Sequence, residues 1–72
     1  MSGQSAEVTA YDSDVGLGTV TMTGGEQYRF HCTAIADGSR DIALGTAVVV
    51  DIGPAGPGVW EARRVVPAGP IQ

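Results

Sequence analysis

The chain has 72 residues, a net charge of −4 from eight acids against four arginines and no lysine, and one cysteine. A domain of this size buries only about 60% of its unfolded surface, which leaves little room for an enzyme cleft under a lid, and a catalytic function is not expected. One cysteine excludes an intrachain disulfide and fits a buried thiol in a reducing, cytoplasmic setting; no run approaches the roughly 20 apolar residues of a membrane span, and no charged-then-apolar leader is read.

Residues 1–5 are small and polar and read as a flexible N-terminal segment. "AEVTAY" (6–11) is a β-type run, and "DSDVG" (12–16) is a turn rich in Asp, Ser and Gly. "LGTVTM" (17–22) alternates and reads as a second strand; "TGGE" (23–26) is a Gly-Gly hairpin signal. In "QYRFHC" (27–32) Tyr28, Phe30 and Cys32 face one way and Arg29 and His31 the other.

"TAIADGSRDIALG" (33–45) has no sustained helical period and reads as a short helical turn over 33–36 followed by a long connection. "TAVVVDI" (46–52) is the most apolar run and a core strand. "GPAGPG" (53–58) reads as a loop, because proline cannot donate to a ladder. "VWEARRVV" (59–66) is the last strand, and 67–72 is a flexible tail. One domain over 6–66 follows, with Val8, Val20, Tyr28, Phe30, Ile35, Val48, Val50, Ile52 and Val65 in its core and Tyr11 at its edge. Five short strands at close spacing predict a small all-β barrel, five-stranded and antiparallel, with its longest connection between the third strand and the fourth.

The motif Val15-Gly16-Leu17-Gly18-Thr19-Val20 resembles the Lys-Gly-Phe-Gly-Phe-Ile of bacterial cold-shock domains. Tyr28-Arg29-Phe30-His31-Cys32-Thr33-Ala34-Ile35 is similar to that family's Val-Phe-Val-His-Phe-Ser-Ala-Ile, and Val8-Thr9-Ala10-Tyr11-Asp12 to its Val-Lys-Trp-Phe-Asn. The resemblance covers about residues 6–66. It implies a Greek-key OB-fold barrel and a cytoplasmic, bacterial protein that binds single-stranded RNA or DNA without a cofactor.

The family's stacking platform of six aromatic or imidazole side chains is replaced here by Ala10, Leu17, Thr19, Arg29, His31 and Cys32, and two neighbouring lysines by Thr9 and Val15. Each stacked base contributes roughly 1–3 kcal/mol, so the expected binding is weak or altered in specificity. Leu17, Thr19, Arg29, His31 and Trp60 are the expected surface: Arg29 can stack and pair with phosphate, and Trp60 reads either as an exposed platform or as a core residue. The glycines of "GLG" read either as places where a base or backbone comes close, or as a bulge that helps a barrel close.

The alternative is a protein-interaction module that uses the same face, with Leu17 and Trp60 as its apolar patch. The adjacent His31 and Cys32 do not complete a zinc site. Ser39, His31 and Asp37 carry triad chemistry but no oxyanion motif accompanies them. No metal, no cofactor and no membrane partner are expected.

Overall fold

A computed structural model describes residues 3–36, 38 and 41–68. It contains strands β1 (Gln4–Asp12), β2 (Leu17–Met22), β3 (Gln27–His31), β4 (Ala47–Gly56) and β5 (Val59–Pro67), and one 3-10 turn, Cys32–Ala34, after β3. The strands close into a barrel in the order β1-β2-β3-β5-β4, with β4 returning to β1.

The barrel is all-β but not purely antiparallel. Four of its five seams are antiparallel; β3 and β5 run parallel, meeting at Arg29↔Glu61. Parity requires this. Alternating directions around a closed ring returns to the starting direction only for an even number of strands, so five strands leave at least one like-directed pair.

Several boundaries also differ from the sequence reading. Gln4 and Ser5, read as part of a flexible segment, pair with Val50 and Val49; Met1 and Ser2 lie outside the described residues. The "GPAGPG" stretch is not wholly a loop. Gly53, Pro54 and Gly56 pair with Glu61, Trp60 and Val59, and only Pro57-Gly58 turns the chain, with Gly58 at φ 71°. Pro54 is tolerated because β1 pairs with β4 no further along than Val50, so no second neighbour needs the missing N–H. At the other end Pro67 pairs with Val48, and the Ala68 N–H donates to the Ala47 carbonyl at 2.9 Å; the rest of the tail, 69–72, lies outside the described residues, as do Asp37, Ser39 and Arg40.

The core holds Phe30, Val8, Val20, Val48, Val50 and Val65, all but sealed from solvent, with Met22, Cys32, Ile35 and Ala62 beside them. Each fully buried large side chain contributes about 1.5–3 kcal/mol. Tyr28 and Ile52 are half-buried against this cluster, and Met22 and Ala62 are additions to the expected core. Tyr11 is half-buried too. Its ring lies nearly parallel to that of Phe30, with centroids 5.9 Å apart and an interplanar angle of 10°. The two residues belong to β1 and β3, and between them in register is Gly18 of β2. A Cβ on Gly18 would stand 2.5 Å from Phe30 Cζ and 2.8 Å from the Ala10 carbonyl oxygen.

The two glycines of "GLG" therefore serve the interior. Gly16, at φ 72°, lies against the Cys32 thiol, and a Cβ there would meet Sγ at 2.8 Å. No register shift falls on β2 at these glycines; the shift is on β1, between Val8 and Ala10. Gly18→Ala is expected to destabilise the barrel by about 1–3 kcal/mol, the cost of overpacking against a ring and a backbone oxygen. Gly56→Ala, with open space around it, is expected to be neutral or to stabilise by up to about 1 kcal/mol. Urea unfolding of both variants checks the contrast.

Candidate functional site

Strand alternation decides which side chains share the outer surface. Val20, Phe30 and Gly18 point inward, so Leu17, Thr19, Arg29 and His31 point outward. Cross-strand register arranges them in two rows. One runs Ala10, Thr19, Arg29 and on to Glu61 of β5; the other runs Asp12, Leu17, His31. Leu17 is 45% exposed. A shallow depression of about 400 Å³ lies on this face, with Ala10, Val15, Leu17, Thr19 and Arg29 among its lining residues.

Of the six positions that the cold-shock resemblance assigns to a platform, five share this face and Cys32 does not. Cys32 begins the 3-10 turn, and its thiol is packed beneath Gly16.

Arg29 is exposed, and among the described residues no carboxylate or carbonyl holds its guanidinium. Its charge is therefore available. His31 is partly committed to structure. Its Nδ1 accepts from the Thr33 backbone N–H at 3.2 Å and lies 2.9 Å from Thr33 Oγ1, which caps the 3-10 turn. With Nδ1 accepting, the neutral ring carries its proton on Nε2, and that N–H is what His31 can offer a ligand.

Trp60 is 58% exposed, which settles its two readings in favour of the surface. It lies on the β4–β5 ribbon opposite Pro54. Alternation puts it on the opposite side of β5 from Glu61, which shares the outward side with Arg29. Trp60 thus does not join the row of Thr19 and Arg29. Val59, two residues before Glu61, has the outward parity instead.

The β1–β2 turn brackets one end of the face and the β4–β5 turn the other, because β2 starts where β3 ends, and β5 starts where β3 starts. Val15 and Val59, on or next to these turns, are large and exposed; the sequence places Val15 beside the platform, in a lysine's position, and gives Val59 no role. The available signal for Val59 was an apolar residue directly after a Gly-Pro turn.

Cys32 Sγ is 3.9 Å from His31 Nδ1, but that nitrogen's lone pair is already taken by Thr33. Among the described residues no three His, Cys, Asp or Glu side chains converge as metal ligands, and no helix is long and apolar enough to cross a membrane. Asp37 and Ser39, the other members of the triad considered above, lie outside the described residues.

His31→Ala is expected to lower stability by about 0.5–1 kcal/mol through loss of the cap, in line with other N-cap losses. Thr33→Val, which keeps the backbone N–H contact, is expected to cost less. Denaturant midpoints of the two variants measure the difference. No family model matches this chain, and no curated protein matches it.

Proposed function

We propose that the outer face of β2 and β3 binds single-stranded RNA or DNA weakly and without catalysis, and that the barrel is a divergent cold-shock-like OB domain. The observation that carries this is Arg29. A guanidinium with no intramolecular partner among the described residues stands in one row with Thr19, and in the next row are the exposed apolar side chain of Leu17 and the outward N–H of His31. Such a set can pair with phosphate, stack on a base and donate to a base edge.

Strand order supports the fold part of the reading. β1, β2 and β3 follow one another antiparallel and β4 comes back beside β1 after the chain's longest connection, the spatial order 4-1-2-3 of a Greek key. In OB barrels the face of strands two and three and the turns between strands one and two and strands four and five hold oligonucleotides. The corresponding turns here carry Val15 and Val59.

Weakness follows from the same surface. Three ring positions hold Ala10, Leu17 and Thr19, and the chain is acidic overall. The second reading, a protein-docking face, is favoured by Val15 and Leu17 exposed beside Asp12 and Asp14.

The test is a titration of a labelled mixed-sequence single-stranded oligonucleotide, RNA and DNA in turn, at two salt concentrations. Binding is expected to be salt-sensitive, and Arg29→Ala is expected to weaken it and to reduce the log–log salt slope by about 0.7, the contribution of one phosphate contact. Binding unchanged by Arg29→Ala sinks the proposal; a salt-insensitive protein partner on this face supports the alternative.

Aromatic restoration gives a second check. Leu17 and Thr19 point outward, and Phe is favourable on an exposed strand. Leu17→Phe with Thr19→Phe is expected to fold normally, by circular dichroism, and to tighten binding by roughly 2–6 kcal/mol at most for two rings. A folded double variant that binds no better than the parent argues for the protein-docking reading.

A further inference from the structure

Arg63 is positioned by the fold rather than left to sample solvent. It occupies the bulge in β5, the extra residue between the Asp51↔Arg64 and Ile52↔Ala62 pairs. Its aliphatic stem lies across Gly53 of β4, where a Cβ would meet Arg63 Cδ at 2.5 Å and Cγ at 3.2 Å. One nitrogen, Nη1, donates to the Pro54 carbonyl at 2.8 Å and stands 3.5 Å from Glu61 Oε2. Both contacts use the same end of the guanidinium, so Nε and Nη2 keep their donors for another acceptor.

Glu61 is also the register partner of Arg29 across the parallel seam. On the outward face of β3 and β5, Glu61 thus has Arg29 as its register neighbour across the seam, outside ion-pair distance, and the pinned Arg63 guanidinium against its carboxylate. Gly53, with no side chain of its own, is what lets the second arginine lie down there.

A carboxylate that contacts one arginine and lies next in register to another occupies the kind of place that suits a phosphodiester, because the arginine fork recognises both oxyanions by the same geometry. The bridge is exposed, and exposed pairs stabilise a fold little, so fold stability alone gives no strong reason for it. We infer that Arg29 and Arg63 form a two-arginine site for a phosphodiester of the bound strand, and that Glu61 is an internal competitor for that site. The inference rests on the reading of the β2–β3 face as a nucleic-acid surface and carries that surface one strand further round the barrel. A bound strand displaces the Glu61 carboxylate from Arg63, which lowers affinity and lowers its dependence on salt.

The experiment compares the parent with Glu61→Gln, Glu7→Gln and the pair Glu61→Gln, Arg63→Gln, using the same labelled mixed-sequence single-stranded oligonucleotide over a series of salt concentrations. Glu7→Gln makes the same change in net charge on β1, which stands opposite the β3–β5 seam in the ring. Glu61→Gln is expected to tighten binding about two- to fivefold, the equivalent of one exposed ion pair released, and to steepen the log–log salt slope by about 0.7. Glu7→Gln is expected to leave the slope unchanged, and adding Arg63→Gln is expected to remove the gain.

Circular dichroism and urea unfolding confirm that each exposed-residue variant is folded. If the parent binds and Arg29→Ala weakens it, but Glu61→Gln behaves like Glu7→Gln, the two-arginine site is wrong and the β2–β3 surface stands. If neither the parent nor Glu61→Gln takes up the oligonucleotide, both are wrong.

Discussion

Two aromatic rings meet across a strand that lies between them, and they can do so because Gly18 has no side chain. Tyr11 on β1 and Phe30 on β3 stack over the gap it leaves, with the Ala10 carbonyl on the other side. This contact fixes the relative register of three strands at once. A slip of one residue in β2 would drive Leu17 into the ring and turn Val20 out to solvent. The exposed array of Leu17, Thr19, Arg29 and His31 is the reverse side of that constraint, since its membership is decided by what Gly18 and its neighbours must do inside.

A second glycine works the same way on the outside. Gly53 opens a path for the Arg63 stem, as Gly18 opens one for a pair of rings. The polar residues of the surface then divide by how far the fold already uses them. His31 holds a turn with one nitrogen, Arg63 is tied at one end, and Thr9 and Thr21 share a hydroxyl contact at 2.9 Å. Arg29 alone of the candidate polar groups on β3 carries no such duty among the described residues, which leaves its charge open to a ligand.

Much of this was legible in the sequence, and the misses have physical causes. The alternation in 27–32 gave the facing of Tyr28, Phe30, Arg29 and His31 correctly because one side of β3 packs on the core, Phe30 buried and Tyr28 half-buried, while Arg29 and His31 are exposed, and period two is then unambiguous. "GPAGPG" extends the strand where its composition predicts a loop, because proline's missing donor matters only where a neighbouring strand needs it, and β4 has no β1 neighbour at Pro54. The parallel seam leaves no mark in local composition; it follows from the strand number once the ring is known to close. Trp60 was undecidable because bulges at Arg63 and Ala55 shift the register on both sides of it. The role of Gly18 was hidden for a related reason: the ring that forbids a side chain there lies twelve residues away along the chain.

The parallel seam has a kinetic consequence. β1 to β3 form one meander and β4 with β5 one hairpin, each held by contacts between strands adjacent in sequence. The two pieces join at β1–β4 and at β3–β5, where the ladder is a single register pair, supplemented by the Ile35↔Val65 bridge and the Ala36 N–H bond to the Val65 carbonyl at 2.8 Å. Closing distant segments costs chain entropy before contacts repay it, so this join is expected to form late in folding and to open early. Amide hydrogens along it should exchange with solvent ahead of those in the β4–β5 ribbon. The barrel therefore breathes along one line, and that line passes between Arg29 and Glu61.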